Sequence, residues 1–326
     1  MPTETIETYV TVAILTKNAG QLFQEVLLSV LNQSTPWPYE VIVIDSGSTD
    51  GTVDFVQNQP GVKLTQIPAQ DFGHGRTRNL AMSLAKGKYV AMITHDAKPA
   101  NNGWLANLVA PFSIDEAVAG VFGRHLPYPT ATPYMKRDLE LHFNHFLQWP
   151  LVLGMDDPQR YANDQGYRQV LHYFSDNNAC LKKTVWEKIP YPDVDFAEDQ
   201  LWAKSMIEAG YKRGYADDAA VYHSHDYGVR DTFRRSYDES RALKKLFGYI
   251  LCPSVPHGCY QTLACSKRDL NYLRSKGLLR QYFGLAVATP ATHLVKQLGF
   301  YIGGYQGPLS ALFFRLFSLD NSKKRA

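Results

Sequence analysis

The sequence predicts an α/β fold, in which a mostly parallel sheet is flanked by helices, followed by a basic helical extension. Short β-branched apolar segments alternate with segments of helical period between residues 9 and 122, an alternation typical of parallel sheets. Polar residues follow several predicted strands, where such sheets bind their ligands. Charge is also divided, with a net −8 over residues 1–229 and +11 over residues 230–326. We therefore predict two domains, 1–229 and 230–326.

The predicted elements follow one another in chain order. Apolar residues recur at helical spacing from Phe23 to Leu31, and Asp50 is suited to cap the next helix. The predicted strands are residues 9–15, 40–44, 62–67, 89–94 and 117–122, and further helices are predicted at residues 53–57, 77–86, 104–112, 183–188 and 200–209.

Composition excludes several classes of protein. The chain has 326 residues, of which 45% are hydrophobic, too many for a disordered chain. Its 4 cysteines are too few for a disulfide scaffold. No segment reaches the roughly 18 uncharged apolar residues of a spanning helix, and the first residues lack the apolar core of a secretory signal. We therefore expect a cytoplasmic protein.

Five short motifs occur in order along the first predicted domain. They are Thr16-Lys17-Asn18, the run from Asp45 to Thr52, Arg78-Asn79, Thr94-His95-Asp96-Ala97 and Glu198-Asp199-Gln200. Together they resemble the inverting glycosyltransferases of family 2, which have the GT-A fold, over residues 9–225. The segments FGHGRTRN (72–79) and THDA (94–97) are similar to the rhamnosyltransferase-like branch, which usually has Gln where His95 stands.

The resemblance implies a divalent cation at Asp96. The diphosphate of a nucleotide sugar gains charge as the sugar–phosphate bond breaks, and a carboxylate-bound cation neutralises that charge. The family pattern is often Asp-x-Asp, whereas Thr94 stands at its first position here. The resemblance implies that His223 completes the site, and a hydrogen bond to a neighbour is the alternative for this histidine. Mg²⁺ prefers oxygen ligands and Mn²⁺ tolerates imidazole better, so either ion is expected.

Donor binding is expected at the strand ends. The resemblance implies that Asp45 contacts the base or ribose, because a carboxylate accepts a hydrogen bond from the imide of thymine or uracil. Arg78 stands in the first turn of a predicted helix, where its guanidinium and the free N–H groups suit phosphate, and a solvated helix charge is the alternative. The rest of the predicted donor-binding set is Thr16, Asn18, Thr94 and His95.

An inverting transfer needs a general base, because the acceptor hydroxyl loses its proton as it attacks the sugar. The resemblance places this base in the pair Glu198-Asp199, and we predict Asp199, with Glu198 orienting the loop or binding a basic partner. Acids in the first turn of a helix also complement the helix dipole, which is the alternative role. Asn177 and Asn178 are predicted to line the acceptor or sugar pocket, or else to cap a helix.

The C-terminal region is predicted to associate with an anionic membrane surface. Its first helix, between Thr232 and Lys245, is basic and amphipathic, and apolar stretches follow at 285–295, 300–302 and 309–319. The chain ends with the basic run 323–325. A helical bundle packed on the catalytic domain is the alternative. A nucleic-acid partner is not expected, because no nucleic-acid-binding module is recognisable and residues 1–229 are acidic.

The resemblance implies a metal-dependent inverting glycosyltransferase, peripheral on the inner face of the cell membrane. The rhamnosyltransferase-like motifs indicate dTDP-L-rhamnose as the donor, and a lipid-linked glycan such as an O-antigen or capsule precursor as the acceptor. Two alternatives stay open: the same fold with another donor such as a UDP-hexose, and a non-catalytic glycan-binding membrane scaffold. A Rossmann dehydrogenase is disfavoured, because no Gly-x-Gly-x-x-Gly follows the first strand.

Overall fold

A computed structural model of the chain describes residues 8–194 and 196–318, which form two compact units. Of these residues, the first unit contains 8–131, 135–194 and 196–224, and the second contains 132–134 and 225–318. Leu319 and the basic run 323–325, which belong to the predicted membrane-associating region, lie outside the described residues. The division into functional domains at residues 229 and 230 stays a prediction.

Within the described residues, the first unit is built on a nine-stranded sheet. The strands are β1 (Val10–Thr16), β2 (Tyr39–Asp45), β3 (Val62–Gln66), β4 (Tyr89–Thr94), β5 (Lys98–Pro99), β6 (Val118–Leu126), β7 (Val152–Leu153), β8 (Asn178–Lys182) and β9 (Lys212–Tyr222). Their order in the sheet is β3-β2-β1-β4-β8-β6-β9-β5, and β7 also pairs with β9. Strands β1, β2, β3 and β4 are mutually parallel, and so are β6 and β9, whereas β8 runs antiparallel between β4 and β6.

Helices cover both faces of this sheet. Successive strand residues point to opposite faces, so Val12 packs in one core cluster with Phe23 and Trp104, and Ala13 packs in another with Met82 and Trp202. The helices are α1 (Gly20–Leu31), α2 (Thr52–Gln57), α3 (His74–Leu84), α4 (Trp104–Val109), α5 (Pro133–Phe146), α6 (Pro158–Asn163), α7 (Gln165–His172), α8 (Lys183–Trp186) and α9 (Glu198–Glu208).

The predicted α/β architecture is confirmed, and the five predicted strands are present as β1, β2, β3, β4 and β6. The sequence reading missed β8, because its five residues, NACLK, lie between a polar turn and a short helix and show no alternation. This strand matters for the site, because it lies between β4 and β6 and runs antiparallel to both of them.

The second unit is helical, as predicted for the C-terminal region. It contains α10 (Val229–Phe247), α11 (Val255–Ser275), α12 (Phe283–Gly303) and α13 (Ser310–Phe317). Helices α10 and α12 pack so closely at Gly299 that a Cβ added there would lie 2.6 Å from the carbonyl oxygen of Phe233. Ser240 Oγ donates to the carbonyl of Phe300 at 2.7 Å across the same interface. None of the helices within residues 8–194 and 196–318 combines the length and the hydropathy that a membrane-spanning helix requires.

Candidate active site

The carboxyl ends of three neighbouring parallel strands meet at one edge of the sheet. Thr16, the last residue of β1, pairs with Asp45, the last residue of β2. On its other side, β1 pairs Leu15 with Thr94 at the end of β4. Thr16, Asp45 and Thr94 therefore lie side by side, and we call this row the carboxyl edge. It is the part of an α/β sheet where ligands bind.

The carboxylate of Asp45 is fully buried and holds the loop that follows β2. Its Oδ1 accepts the backbone N–H groups of Gly47 at 3.0 Å and Ser48 at 2.9 Å. Its Oδ2 accepts the hydroxyl of Thr16 at 3.0 Å and also that of Ser48. The lone pairs of Asp45 are thus used within the chain. Direct recognition of a nucleotide base by Asp45 stays a prediction and requires one of these bonds to be exchanged.

Asn18 connects the turn after β1 to the same loop through hydrogen bonds. Its backbone is in the left-handed region, with φ 45°, which a short polar side chain tolerates. Its Oδ1 accepts the N–H of Thr49 at 2.8 Å, and its own N–H donates to Ser48 Oγ at 2.8 Å. The predicted donor-binding residues Thr16, Asn18 and Asp45 therefore form one hydrogen-bonded group.

The turn between β4 and β5 carries Asp96, and the end of β9 carries His223. Strand pairing between Lys98 and Tyr222 brings the two segments together. The Nε2 atom of His223 lies 3.6 Å from Oδ1 of Asp96, and the two side chains keep 14% and 21% of their surfaces exposed. The predicted metal ligands are therefore neighbours, and solvent reaches both of them.

The donor set at this position fits a divalent cation. Two ligand atoms 3.6 Å apart need to move only a few tenths of an ångström to share an ion at bond lengths of about 2.1–2.2 Å. One carboxylate oxygen and one imidazole nitrogen leave most of the coordination positions of the ion for phosphate oxygens or water. The hydroxyl of Thr94 is buried without a hydrogen-bond partner among the described residues. This strand end therefore retains unused polar capacity beside Asp96.

Antiparallel β8 brings a second group of acids to the carboxyl edge. The strand pairs Asn178 with Ile93, the residue before Thr94. The turn before it contains Asp176, whose backbone N–H donates to Oδ2 of Asp199 at 3.3 Å. Asp199, in the first turn of α9, is thereby held beside the end of β4.

Two carboxylates contact one guanidinium at this position, and a third lies nearby. Arg78 Nε lies 2.8 Å from Asp176 Oδ2, and Arg78 Nη1 lies 2.5 Å from Glu198 Oε1. All three side chains are at least nine-tenths buried. With Asp199 they form a group of three carboxyl groups and one guanidinium, which we call the acid–arginine cluster (Arg78, Asp176, Glu198 and Asp199). The guanidinium is held in place because two of its nitrogens each contact a different buried carboxylate.

Asp199 differs from the other acids of the cluster. The residue as a whole is partly exposed, and within the described part of the chain its carboxylate oxygens accept only backbone N–H groups, from Gln200 at 2.8 Å and Asp176 at 3.3 Å. Burial and the nearby carboxylates of Glu198 and Asp176 raise the pKa of Asp199 well above its ordinary value, whereas Arg78 lowers it. Burial also raises the pKa of Asp176 to about 6. A carboxylate with a raised pKa is a stronger proton acceptor.

Helix α3 fixes the segment that precedes α9. Asn79 Nδ2 donates to the carbonyl of Tyr191 at 2.9 Å, and Asn79 Oδ1 accepts the N–H of Tyr191 at 3.0 Å and Nε1–H of Trp186 at 2.7 Å. A Cβ at Gly75 would clash with the carbonyl of Pro192, so only glycine allows this approach. The motif FGHGRTRN therefore supports the loop that carries Glu198 and Asp199.

Ala197, directly before this acid pair, has a left-handed backbone with φ 56°. Asn18 and Ala197 are the non-glycine residues with positive φ in the described ranges, and both adjoin predicted site residues. A left-handed conformation costs an alanine roughly 1–2 kcal/mol, and such strain persists only where the surroundings impose it.

Two predicted roles need correction. Arg78 is not aimed at an open phosphate site, because its guanidinium is buried between Asp176 and Glu198. Asn178 does not line a sugar pocket, because it is fully buried and its amide is satisfied. Its Oδ1 accepts Nε1–H of Trp104 at 2.8 Å, and its Nδ2 donates to the carbonyl of Ala219 at 2.7 Å. Asn178 therefore connects β8 to α4 and to β9.

The remaining predicted residues, Asn177 and His95, are partly exposed in turns, Asn177 directly before β8 and His95 directly after β4, and their sugar or donor contacts stay predictions. Sequence reasoning missed Asp176 and Tyr191 as members of the site. Tyr191 Oη donates to Asp176 Oδ1 at 2.8 Å. The available signal was the motif Arg78-Asn79, since two adjacent polar residues on a packed helix need partners elsewhere in the fold.

Known proteins are similar to this chain over the part that contains these site residues. The sequence model of glycosyl transferase family 2 matches residues 11–188. O-antigen chain rhamnosyltransferase RfbN of Salmonella typhimurium is 36% identical over 234 residues, which cover 70% of each chain. O-antigen chain rhamnosyltransferase WbaN of Salmonella anatum is 32% identical over 232 residues, again 70% of each chain.

A solved structure supports the GT-A fold. The mannosyltransferase PcManGT of Pyrobaculum calidifontis, determined in complex with GDP-Man and Mn²⁺, aligns with a TM-score of 0.53 at 20% identity, covering 97% of this chain and 83% of that one. At this identity the likeness concerns the fold alone. The matched residues contain the carboxyl edge, Asp96 and Arg78, and the relatives named above are matched over two thirds or more of their length. The chain therefore belongs to glycosyltransferase family 2, and the resemblance to its rhamnosyltransferase-like branch is confirmed.

Proposed function

We propose that this enzyme transfers L-rhamnose from dTDP-L-rhamnose to a lipid-linked glycan of a bacterial surface polysaccharide, with inversion at the anomeric carbon. The observation that carries the proposal is its identity of 36% and 32% to two relatives named O-antigen chain rhamnosyltransferases. The motifs FGHGRTRN and THDA support the same donor sugar. The convergence of Asp199 and Asp96 on the end of β4 supports catalysis rather than binding alone.

The proposed donor site is the carboxyl edge with Asn18 and His95. Asp45 acts there by fixing the loop that follows β2, through its bonds to Gly47 and Ser48. The loop adjoins the carboxyl ends of the strands, which is where nucleotides bind in α/β sheets. Asn18 sets the position of this loop from the opposite side.

A divalent cation is proposed to bind at Asp96 and His223, where it supplies neutralisation of the charge on the diphosphate leaving group. Asp96 contributes a carboxylate oxygen and His223 an imidazole nitrogen, a mixed donor set that suits Mn²⁺ better than Mg²⁺. Their separation of 3.6 Å supports joint coordination. The likeness in fold to a mannosyltransferase solved with Mn²⁺ is consistent with this choice.

Asp199 is proposed as the general base. Its carboxylate takes the proton of the acceptor hydroxyl while the hydroxyl oxygen bonds to the anomeric carbon and the sugar–phosphate bond breaks, which releases dTDP. The residue is partly exposed, and its raised pKa suits its carboxylate to accept a proton. Glu198 is proposed to orient Asp199 through its buried pair with Arg78.

The helical unit is proposed to hold the enzyme at the anionic inner face of the cell membrane, where a lipid-linked acceptor resides. Its helices expose apolar side chains in pairs at helical spacing, among them Tyr260 (66% exposed) with Leu263 (72%) on α11 and Phe283 (67%) with Val287 (64%) on α12. Residues 230–326 also carry a net charge of +11. Exposed apolar side chains beside basic residues are typical of helices that lie in a membrane interface.

A panel of sugar nucleotides tests the donor. The purified chain is incubated with dTDP-L-rhamnose, UDP-glucose, UDP-N-acetylglucosamine or GDP-mannose, with Mn²⁺, Mg²⁺ or EDTA, and release of the nucleoside diphosphate is measured. We expect Mn²⁺-dependent release and a thermal shift with dTDP-L-rhamnose. The same response to a UDP-hexose, with none to dTDP-L-rhamnose, would replace the proposed donor by the alternative one.

Asp199→Asn separates the enzyme from a non-catalytic scaffold. An enzyme that uses this base loses turnover and keeps its thermal shift with the donor, because the amide is isosteric and does not accept the proton. Full turnover by the variant would remove Asp199 from the mechanism. A wild-type chain that binds donors and glycans but releases no nucleotide with any donor would support the scaffold.

A further inference from the structure

The acid–arginine cluster contains more acid than its one cation balances, and the proposed base is the member that has no ion pair among the described residues. Arg78 has one nitrogen on Asp176, at 2.8 Å, and another on Glu198, at 2.5 Å. Asp199, adjacent to Glu198 in sequence, accepts two backbone N–H groups instead. We propose that Arg78 is a positioning residue for catalysis, which engages Asp176 and Glu198 so that Asp199 alone receives the proton of the acceptor. This inference rests on the proposed function.

The geometry favours a division of roles among the acids. A guanidinium presents its N–H groups in a fixed fork, so it can hold two carboxylates in defined places at once. Asp176 has a further anchor, the hydroxyl of Tyr191 at 2.8 Å. Asp176 and Glu198 are 1% and 5% exposed, whereas Asp199 lies partly open to solvent. The two engaged acids are thus hidden from an acceptor.

The same contacts place Asp199 in space. Its Oδ2 accepts the N–H of Asp176, so the arginine that fixes Asp176 also fixes one oxygen of the base. Arg78 in turn is held by α3, since its Nη1 also donates to the carbonyl of His74 at 3.3 Å. A misplaced catalytic group costs about 10²-fold in rate even when the displacement is near 1 Å.

Charge balance determines how Asp199 responds to changes around it. Among residues 8–194 and 196–318, the charged or titratable groups that interact with Asp199 are Glu198 from α9, Asp176 and Tyr173 from the segment before β8, Tyr191 from the segment before α9, and Arg78 from α3. Loss of the arginine cation raises the pKa of Asp199, and loss of the Glu198 charge lowers it. If Arg78 contributed only to folding stability, these substitutions would not shift the pKa of Asp199 in opposite directions in the folded protein.

The test compares Arg78→Gln, Arg78→Lys, Glu198→Gln and the double variant Arg78→Gln/Glu198→Gln, with Arg76→Gln as the matched control. Arg76 lies on the same helix, two residues away, and its side chain is 57% exposed in an ion pair with Asp193. Two readouts are used: titration of side-chain carboxyls by ¹³C NMR in protein labelled at Asp, with Asp199→Asn identifying the signal, and the pH profile of Mn²⁺-dependent dTDP-L-rhamnose hydrolysis.

We expect Arg78→Gln to move the Asp199 titration and the acidic limb of the hydrolysis profile upward by roughly 1 to 3 pH units, and to lower the rate about 10²-fold. Glu198→Gln moves both downward. Arg78→Lys, which keeps the charge but not the fork, loses rate with a smaller pH shift. The double variant restores the charge balance and returns the titration toward the wild type, which misfolded protein cannot do.

The inference is overturned if Arg78→Gln titrates and hydrolyses like Arg76→Gln, or if the double variant shifts as far as the single one. Failure of the proposed function gives a different result. In that case Asp199→Asn retains full hydrolysis, while the NMR titration still reports whether Arg78 governs the protonation of Asp199.

Discussion

The side chain of Asn79 binds both backbone groups of Tyr191, 112 positions further along the chain, with distances of 2.9 Å to its carbonyl and 3.0 Å from its N–H. The side-chain amide of Asn79 thus satisfies both backbone groups of Tyr191, as a neighbouring strand would do in a sheet. A third bond, from Trp186, completes its hydrogen bonding. Through this contact α3 determines where the chain enters α9, and so where Glu198 and Asp199 lie.

Asn79→Ala is therefore expected to lower the free energy of unfolding by about 2–3 kcal/mol, because the buried N–H and carbonyl of Tyr191 lose their partners. Hydrolysis should fall further than stability explains, since the base-bearing turn is released. Urea unfolding and the hydrolysis assay measure the two effects. Asn58→Ala, at an exposed helix end, is the control. Equal behaviour of the two variants would show that the contact with Tyr191 does not position the base.

Asp199→Asn is expected to make the protein more stable at neutral and alkaline pH. With the pKa of Asp199 raised by folding, the folded state retains a proton that the unfolded state has lost above pH ~4. The wild type therefore loses stability as the pH rises toward the folded pKa, by roughly 1.4 kcal/mol for each pH unit between the unfolded and the folded pKa. The asparagine variant lacks this decline.

Urea unfolding between pH 4 and pH 8 measures the difference. Asp193→Asn, whose parent side chain is 63% exposed, serves as the control and should follow the wild type. A gap between Asp199→Asn and the wild type that stays constant or narrows with rising pH would contradict the raised pKa.

Asp96→Asn and His223→Ala are expected to weaken Mn²⁺ binding in the presence of dTDP by at least tenfold, since each removes one of two protein ligands 3.6 Å apart. Electron paramagnetic resonance of free Mn²⁺ gives the binding directly. His145→Ala, at an exposed position of α5, is the control. Unchanged Mn²⁺ binding by both test variants would place the cation elsewhere.

Leu263→Glu and Phe283→Glu are expected to abolish flotation of the protein with anionic liposomes, and flotation of the wild type should weaken at high salt. Leu263 is 72% exposed and Phe283 67%, so the substitutions do not disturb a core. Leu141→Glu, at a 61% exposed leucine of the first unit, is the control. Wild-type protein that stays at the bottom of the gradient would exclude the membrane proposal.

Periodicity found the parallel half of the sheet and the helices around it. Alternation of short apolar strands with amphipathic helices is local information, and β1, β2, β3 and β4 lie within a residue or two of their predicted bounds. It did not find β8, whose pairing with β4 and β6 is decided by partners far away in the sequence. Residues 128–169 show no strong period, yet they contain α5, α6 and the start of α7, whose apolar residues pack into the core.

The sequence by itself determined the family, the polar residues at the strand ends and the pair Glu198-Asp199, because residue types in a fixed order carry that information. Only the tertiary structure decided what Arg78 and Asn178 do. Both are polar residues suited to binding a ligand, and the fold buries both among partners from distant segments. A buried charge or amide must be satisfied inside the protein. Which partner satisfies it depends on which segments meet, and strand order and helix packing settle that.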